Sequence, residues 1–83
     1  MDFLLAVFRS RTETISFANI LSSYGVNSKI INTPRSINVS CGISVLLQPD
    51  AKQIVENILA RRKFSTFGGL FKIKKINGSF IPV

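Results

Sequence analysis

Phe3-Leu4-Leu5-Ala6-Val7-Phe8 is the stretch that decides the fold of this 83-residue chain. An unbroken apolar run of this length, closed by Arg9-Ser10, predicts a central strand that is buried on both faces. The remaining helices and strands are predicted from the residues that follow this strand.

A helix is predicted directly after the strand. Ser10 and Glu13 have the S-x-x-E spacing of a capping box, in which the hydroxyl and the carboxylate satisfy free amides of the first turn. Apolar and small residues then recur at helical spacing: Thr14, Phe17, Ala18, Leu21 and Tyr24, with Ile15 and Ile20 widening the stripe. Gly25 is expected to end the helix, because glycine adopts the left-handed conformation without steric cost.

Two further strands are predicted in the middle of the chain. Residues 26–32 are rich in β-branched side chains, and Pro34 then opens a loop because proline has no amide hydrogen to donate. Beyond the loop the odd positions are apolar: Ile37, Val39, Cys41, Ile43, Val45 and Leu47. Period two predicts extended backbone with one buried face, at least from Cys41 to Leu47, and a straight strand would point Cys41 inward.

A second helix and a hairpin are predicted in the last third. Asp50 is the expected N-cap, and the buried stripe of the helix is Ala51, Ile54, Val55, Ile58 and Leu59. Gly68-Gly69 predicts a break before a strand over 70–76. Asn77-Gly78 favours a two-residue hairpin turn, because both residues tolerate positive φ. The return over 79–83 is expected to be a short edge strand, since Pro82 is unsuited to a central one.

The order strand, helix, strand, strand, helix, strand, with a terminal hairpin partner, predicts an α+β fold. It is typical of the ferredoxin-like βαββαβ architecture, in which an antiparallel sheet carries both helices on one face. We expect a single domain over residues 1–83, with one thin core, so a stabilising homodimer would not be surprising.

The composition limits the chemistry. The chain has no histidine, which removes an imidazole base, a Cys-His pair and a histidine metal ligand. Its four acids, Asp2, Glu13, Asp50 and Glu56, are scattered, so we expect no paired-carboxylate or metal site and no cofactor. The net charge of +7 implies attraction to nucleic acid, an acidic protein face or a phosphorylated ligand, unless it only aids solubility.

Cys41 is the only cysteine, so the chain cannot form an internal disulfide. This fits a reducing compartment and predicts a cytoplasmic protein. Residues 3–8 follow Asp2 and not a basic run, which argues against a signal peptide. No apolar run approaches the roughly 20 residues that cross a bilayer, so we expect no membrane contact.

A Thr33-Pro34-Arg35 element is followed by Cys41-Gly42, after a short first strand and a helix that ends near a glycine. In this arrangement, over residues 3–76, the chain resembles the selenium/sulfur carrier protein-like family. The resemblance implies that Cys41 bears the sulfur or selenium and that Thr33, Pro34, Arg35 and Gly42 belong to the same site. It also implies a carrier that is not an enzyme, with a cysteine desulfurase or selenium-donor enzyme and an acceptor protein as partners.

The chemistry of such a carrier is simple. An accessible thiolate attacks a sulfur donor, holds a persulfide or selenosulfide and yields it to an acceptor. Arg35 would stabilise the negative charge, and Gly42 would let a partner's loop approach closely. The alternative is that Cys41 is a small core residue, because free cysteines are among the most buried residue types.

Two other functions stay open. Single-stranded RNA is bound by basic groups interleaved with aromatic rings, and the second half of the chain contains both: Arg61, Arg62, Lys63, Lys72, Lys74 and Lys75 beside Phe64, Phe67 and Phe71. The simpler interpretation is that the phenylalanines are core and the lysines line an exposed strand. A ferredoxin-like domain could also be a dimeric interaction or small-ligand sensing module.

Overall fold

A computed structural model describes residues 2–37 and 41–82, which form a five-stranded sheet and two α-helices. The elements are β1 Asp2–Phe8, α1 Arg11–Ser23, β2 Ser28–Asn32, β3 Ile43–Leu47, α2 Lys52–Arg61, β4 Phe67–Ile76 and β5 Ser79–Pro82, with a 3₁₀ turn over Pro49–Ala51. The predicted α+β class is therefore correct.

The sheet has the order β2-β3-β1-β4-β5, and every neighbouring pair is antiparallel. β1 lies in the centre, between β3 and β4. Residues 4–8 of β1 are at most 3% exposed, which confirms the prediction of a strand buried on both faces.

The core has two parts, one on each face of the sheet. Both helices pack on the same face, where Leu4, Ala6 and Phe8 of β1 meet Phe17 of α1 and Val55 of α2. The opposite face carries a smaller cluster made of Leu5, Val7, Ile37, Leu46 and Ile73. Within the described residues no helix covers that cluster, and Ile37 from the β2–β3 loop packs on it instead.

Helix α1 begins and ends where the sequence predicts, but its buried stripe is narrower. Gly25 has φ +75°, and the Val26 amide donates to the Leu21 carbonyl at 2.9 Å, which closes the helix with a Schellman motif. This bond holds Val26 outside the sheet, so β2 begins at Ser28 and not at residue 26. Ile15 and Tyr24, placed in the stripe from spacing, are 43% and 52% exposed.

The predicted strand through Cys41 was wrong at its beginning. The chain bends at Cys41 and Gly42, and the strand begins only at Ile43. Gly42 has φ +105°, a backbone conformation that a regular strand does not contain. The predicted alternation at Asn38, Val39 and Ser40 lies outside the described residues.

Two boundary predictions in the second half were also wrong. Asp50 is not an N-cap, because Gln48 takes the extended cap conformation and the 3₁₀ turn over Pro49–Ala51 starts the helical segment earlier. Gly68-Gly69 does not break the chain before a strand. Both glycines lie inside β4, at a register irregularity opposite the end of β1.

The C-terminal hairpin was predicted correctly. Asn77 and Gly78 have φ +50° and +80°, as a tight turn between antiparallel strands requires. β5 is the short edge strand that Pro82 predicted, while Val83 lies outside the described residues. In the described part of the chain, no helix is both long and apolar enough to span a membrane.

Candidate functional site

Two loops are joined by hydrogen bonds at the end of the sheet where β1 finishes. The Arg9 amide donates to the Thr66 carbonyl at 2.8 Å, and the Ser10 amide donates to the Thr66 hydroxyl at 3.2 Å. The Thr66 hydroxyl and amide both donate to the Glu13 carboxylate, and the Ser65 hydroxyl donates to it as well. The bonds from Thr66 hold the pKa of the Glu13 carboxyl below its ordinary value.

The β2–β3 loop is attached at the same end of the sheet. The Cys41 amide donates to the carbonyl of Phe8, the last residue of β1, at 3.2 Å. The Thr33 amide donates to the Gly42 carbonyl at 2.9 Å, and the Thr33 hydroxyl bonds to the hydroxyl of buried Ser44. The Thr-Pro-Arg and Cys-Gly segments are therefore held side by side.

Cys41 is half-buried and is not part of either core cluster. Its Sγ lies 3.7 Å from the Thr14 hydroxyl oxygen and 3.7 Å from the Ile43 carbonyl oxygen. A straight strand would have pointed Cys41 into the core, but the bend at Cys41 and Gly42 takes this residue out of the strand alternation.

Thr14 is a residue at this site that the sequence did not indicate. Its side chain is fully buried on α1, and its hydroxyl is 2.9 Å from the Ser10 carbonyl oxygen. The same carbonyl also accepts from the Thr14 amide at 3.0 Å. If the Thr14 hydroxyl rotates toward the Cys41 sulfur, the Ser10 carbonyl oxygen still accepts the hydrogen bond from the Thr14 amide. The rotation therefore costs little free energy. The helical spacing placed Thr14 in the buried stripe and gave no sign of the sulfur beside it.

Pro34 and Arg35 belong to the same loop but are not bonded to the thiol. The Ile37 amide donates to the Pro34 carbonyl at 2.9 Å, which forms a turn over 34–37. Arg35 is exposed in that turn. Within residues 2–37 and 41–82, neither Pro34 nor Arg35 forms a hydrogen bond or ion pair with Cys41. Of the predicted set, the structure brings together Thr33, Cys41 and Gly42.

The predicted basic and aromatic set does not form one surface. The Phe8 ring lies between Phe64 and Phe67, with centroid distances of 5.3 and 5.4 Å, so these side chains belong to the helix-side core. Phe71 packs on the opposite face of the sheet. The simpler interpretation of the phenylalanines as core residues is correct. Among the residues that the structure describes, no three His, Cys, Asp or Glu side chains are grouped to hold a metal ion.

The fold and site define a small α+β domain that presents one half-buried thiol at the loop end of its sheet. The chain belongs to the family described as "Putative Se/S carrier protein-like", whose model matches residues 3–68. The match contains Cys41 and the whole β2–β3 loop, and it confirms the resemblance seen in the sequence. No curated protein and no solved structure matches the chain.

Proposed function

We propose that this protein carries sulfur or selenium on Cys41, as a persulfide or selenosulfide, between a donor enzyme and an acceptor protein. Membership of the carrier-like family supports the general role. The observation that carries the assignment to Cys41 is its half-buried position in a bend outside both cores. We infer that a partner can reach the sulfur of this half-buried residue, which contacts the buried Thr14 side chain on one side.

The transfer is an exchange without net oxidation. The Cys41 thiolate attacks the outer sulfur of a donor persulfide, R–S–SH. The bond between the two donor sulfurs breaks, R–S⁻ leaves with the electron pair, and Cys41–S–SH forms. An acceptor thiolate then attacks the outer sulfur in the same way and releases the Cys41 thiolate. A donor R–S–SeH gives the selenosulfide by the same steps. A cysteine desulfurase or a selenium-donor enzyme would supply such a donor.

The residues around Cys41 suit this exchange. A neutral thiol has one hydrogen to donate, to the Ile43 carbonyl or the Thr14 hydroxyl oxygen. A thiolate has none and needs a donor, which the Thr14 hydroxyl supplies when it turns away from Ser10. Gly42 adds no side chain beside the sulfur, and among the described residues, its chain neighbours aside, no atom comes within 4 Å of the position where its Cβ would be. We propose that Thr33 and Pro34 position the loop and that exposed Arg35 meets the partner.

The ferredoxin-like class is also part of the proposal. The order β2-β3-β1-β4, with both helices on one face, supports it, and β5 is then an added edge strand. In this arrangement the loops after β1, β2 and α2 meet at one end of the sheet. That end is where Cys41 lies. The proposed role is that of a carrier and not an enzyme, in keeping with the description of the family.

Loading from a persulfide tests the function. The protein is incubated with a cysteine desulfurase and L-cysteine, and its intact mass is measured before and after reduction. We expect the mass of one sulfur atom to be added and then removed by dithiothreitol. Cys41→Ser is the matched control and should gain nothing. Failure of the native protein to load, or equal loading of Cys41→Ser, would reject Cys41 as the carrying atom.

A further inference from the structure

Arginine and lysine are separated in this fold. Four of the five arginines lie at the end of the sheet that holds Cys41, together with one lysine: Arg9, Arg11, Arg35, Arg62 and Lys63. The fifth, Arg61 in the last turn of α2, instead lines a depression with Tyr24 and Ile54 between the helices. These residues come from three segments that the topology brings to this end: the β1–α1 junction, the β2–β3 loop and the end of α2. We call this set the arginine end.

The remaining lysines lie elsewhere. Lys74 pairs with Asp2 at the beginning of β1, and Lys72 pairs with Leu4. Lys29 is near the beginning of β2, and Lys52 is the first residue of α2. Arginine and lysine serve solubility equally well, so a surface with that role alone would carry both residue types at both ends of the sheet. The concentration of arginine at one end therefore indicates a binding role there.

The positive charge at the arginine end is not neutralised by the protein. All five side chains are exposed. Within the described ranges none of them forms an ion pair or hydrogen bond through its side chain. Glu13 lies in the first turn of α1, which Arg11 begins, and its carboxylate already accepts from Thr66 and Ser65. The groups are therefore available to a negatively charged partner.

We infer that the arginine end is a docking surface for an acidic face of the protein that exchanges sulfur with Cys41. This inference rests on the proposed carrier function. Arginine is enriched and lysine depleted in protein interfaces, because the planar guanidinium binds a carboxylate through two hydrogen bonds. Opposite charges around the reacting atoms also speed the encounter and orient the partner.

An acidic protein fits this surface better than a nucleic acid does. Single strands are bound by exposed rings on which bases stack. At this end the rings of Phe64 and Phe67 both pack on the buried ring of Phe8. The proposed exchange at Cys41, which lies at the same end of the sheet, also requires a partner that brings a sulfur atom, which a protein cysteine supplies.

Two peptide persulfides test the inference. Both contain one cysteine, flanked by glutamates in the first and by serines in the second, and loading of Cys41 is followed by intact mass against time. We expect the acidic peptide to load about tenfold faster at low ionic strength, with the difference lost in high salt. The double variant Arg9→Glu/Arg62→Glu should abolish the preference, and the milder Arg9→Gln/Arg62→Gln should reduce it.

The control variant Lys72→Glu/Lys74→Glu makes the same change of charge at the other end and should keep the preference. Equal rates for the two peptides, or an equal loss in the lysine control, would overturn the docking surface and leave the carrier function intact. No loading by either peptide would instead reject the carrier function. Salt-sensitive binding of a single-stranded oligonucleotide that is lost in the arginine variant would overturn the protein partner in favour of nucleic acid.

Discussion

Gly42 determines where the sulfur of Cys41 lies. The alternation of apolar residues predicted that the strand passes through both positions, and the two residues form a bend instead. The periodic pattern depends on which side chains are apolar, so it contains no information about an unusual φ at one residue such as Gly42. The glycine itself was the available signal, since an isolated glycine within a strand pattern often marks a bulge or bend.

Gly42→Ala tests this role. At φ +105° a side chain is strained even though the space around it is open, so we expect a loss of about 1–2 kcal/mol in the free energy of unfolding. We also expect Cys41 to react at a changed rate with a thiol reagent. Gly78→Ala, at φ +80° in the distant hairpin, is the matched control. It should lower stability and leave the thiol rate unchanged, and a changed rate there would contradict a local effect.

Thr14→Val tests the hydroxyl beside the sulfur. The substitution keeps the shape of the buried side chain, and the Ser10 carbonyl keeps its bond from the Thr14 amide. We therefore expect a stability loss of only about 1 kcal/mol. Loading of Cys41 by a persulfide should slow by about three- to tenfold, because the thiolate loses a hydrogen-bond donor. Thr14→Ser retains the hydroxyl and should load at close to the native rate. Equal slowing in both variants would point to packing and not to the hydroxyl.

In helix α1, only one half of the predicted capping box forms. The Ser10 hydroxyl accepts from the Glu13 amide at 3.2 Å, as the capping box requires. The Glu13 carboxylate does not return to the cap, and the loop before β4 uses it instead. The first bond is local and could be predicted from spacing. The second joins residues 53 positions apart, and only the folded sheet brings them together.

The stability of the protein should depend on Glu13 in acid. Its pKa is lowered in the folded state, so its contribution is fully present above the ordinary value of about 4.3 and is lost as the pH falls through the folded value. Glu13→Gln should lower the urea midpoint at pH 7 and show a smaller decrease between pH 5 and pH 3. Glu56→Gln, on the exposed face of α2, is the control. An unchanged acid profile in Glu13→Gln would contradict this role.

The glycine pair in strand β4 gave a wrong prediction of where the strand begins. Gly68-Gly69 was expected to break the chain, but Gly69 pairs with Val7 and Phe67 pairs with Phe8 across an irregularity in the register. A partner strand supplies the hydrogen bonds that make such a segment extended, and local propensity does not include that partner. The hairpin at Asn77-Gly78 was predictable because both of its requirements are local.

For the whole molecule, the α+β class could be predicted because β1 is apolar from Phe3 to Phe8 and both helices have apolar stripes. The site could be predicted only in part. The motif indicated Thr33, Cys41 and Gly42, which the structure brings together, while Thr14 and Thr66 of the candidate site come from other segments with no motif of their own. Residues brought together by topology carry no local signature in one sequence. Homodimer formation stays a prediction, and light scattering over a range of concentrations would check it.

Phe8 connects the centre of the sheet to the end that holds Cys41. Its ring is fully buried and packs against Phe17, Phe64 and Phe67. Phe8→Ala should cost about 3–5 kcal/mol, a large share of the roughly 5–15 kcal/mol that stabilises a domain of this kind. Phe80→Ala, at the half-buried edge strand, should cost clearly less by the same urea titration. A similar loss in both variants would contradict the central position of Phe8.

The central claim is that another molecule can reach the sulfur of Cys41 in the folded protein. The most direct test compares the rate of Cys41 alkylation by iodoacetamide, a small neutral reagent, in the native protein and in urea. We predict rates within about tenfold of each other, because a half-buried thiol reacts without unfolding. A native rate slower by about 10³-fold or more would mean that the thiol reacts only when the structure opens, and it would contradict the carrier assignment.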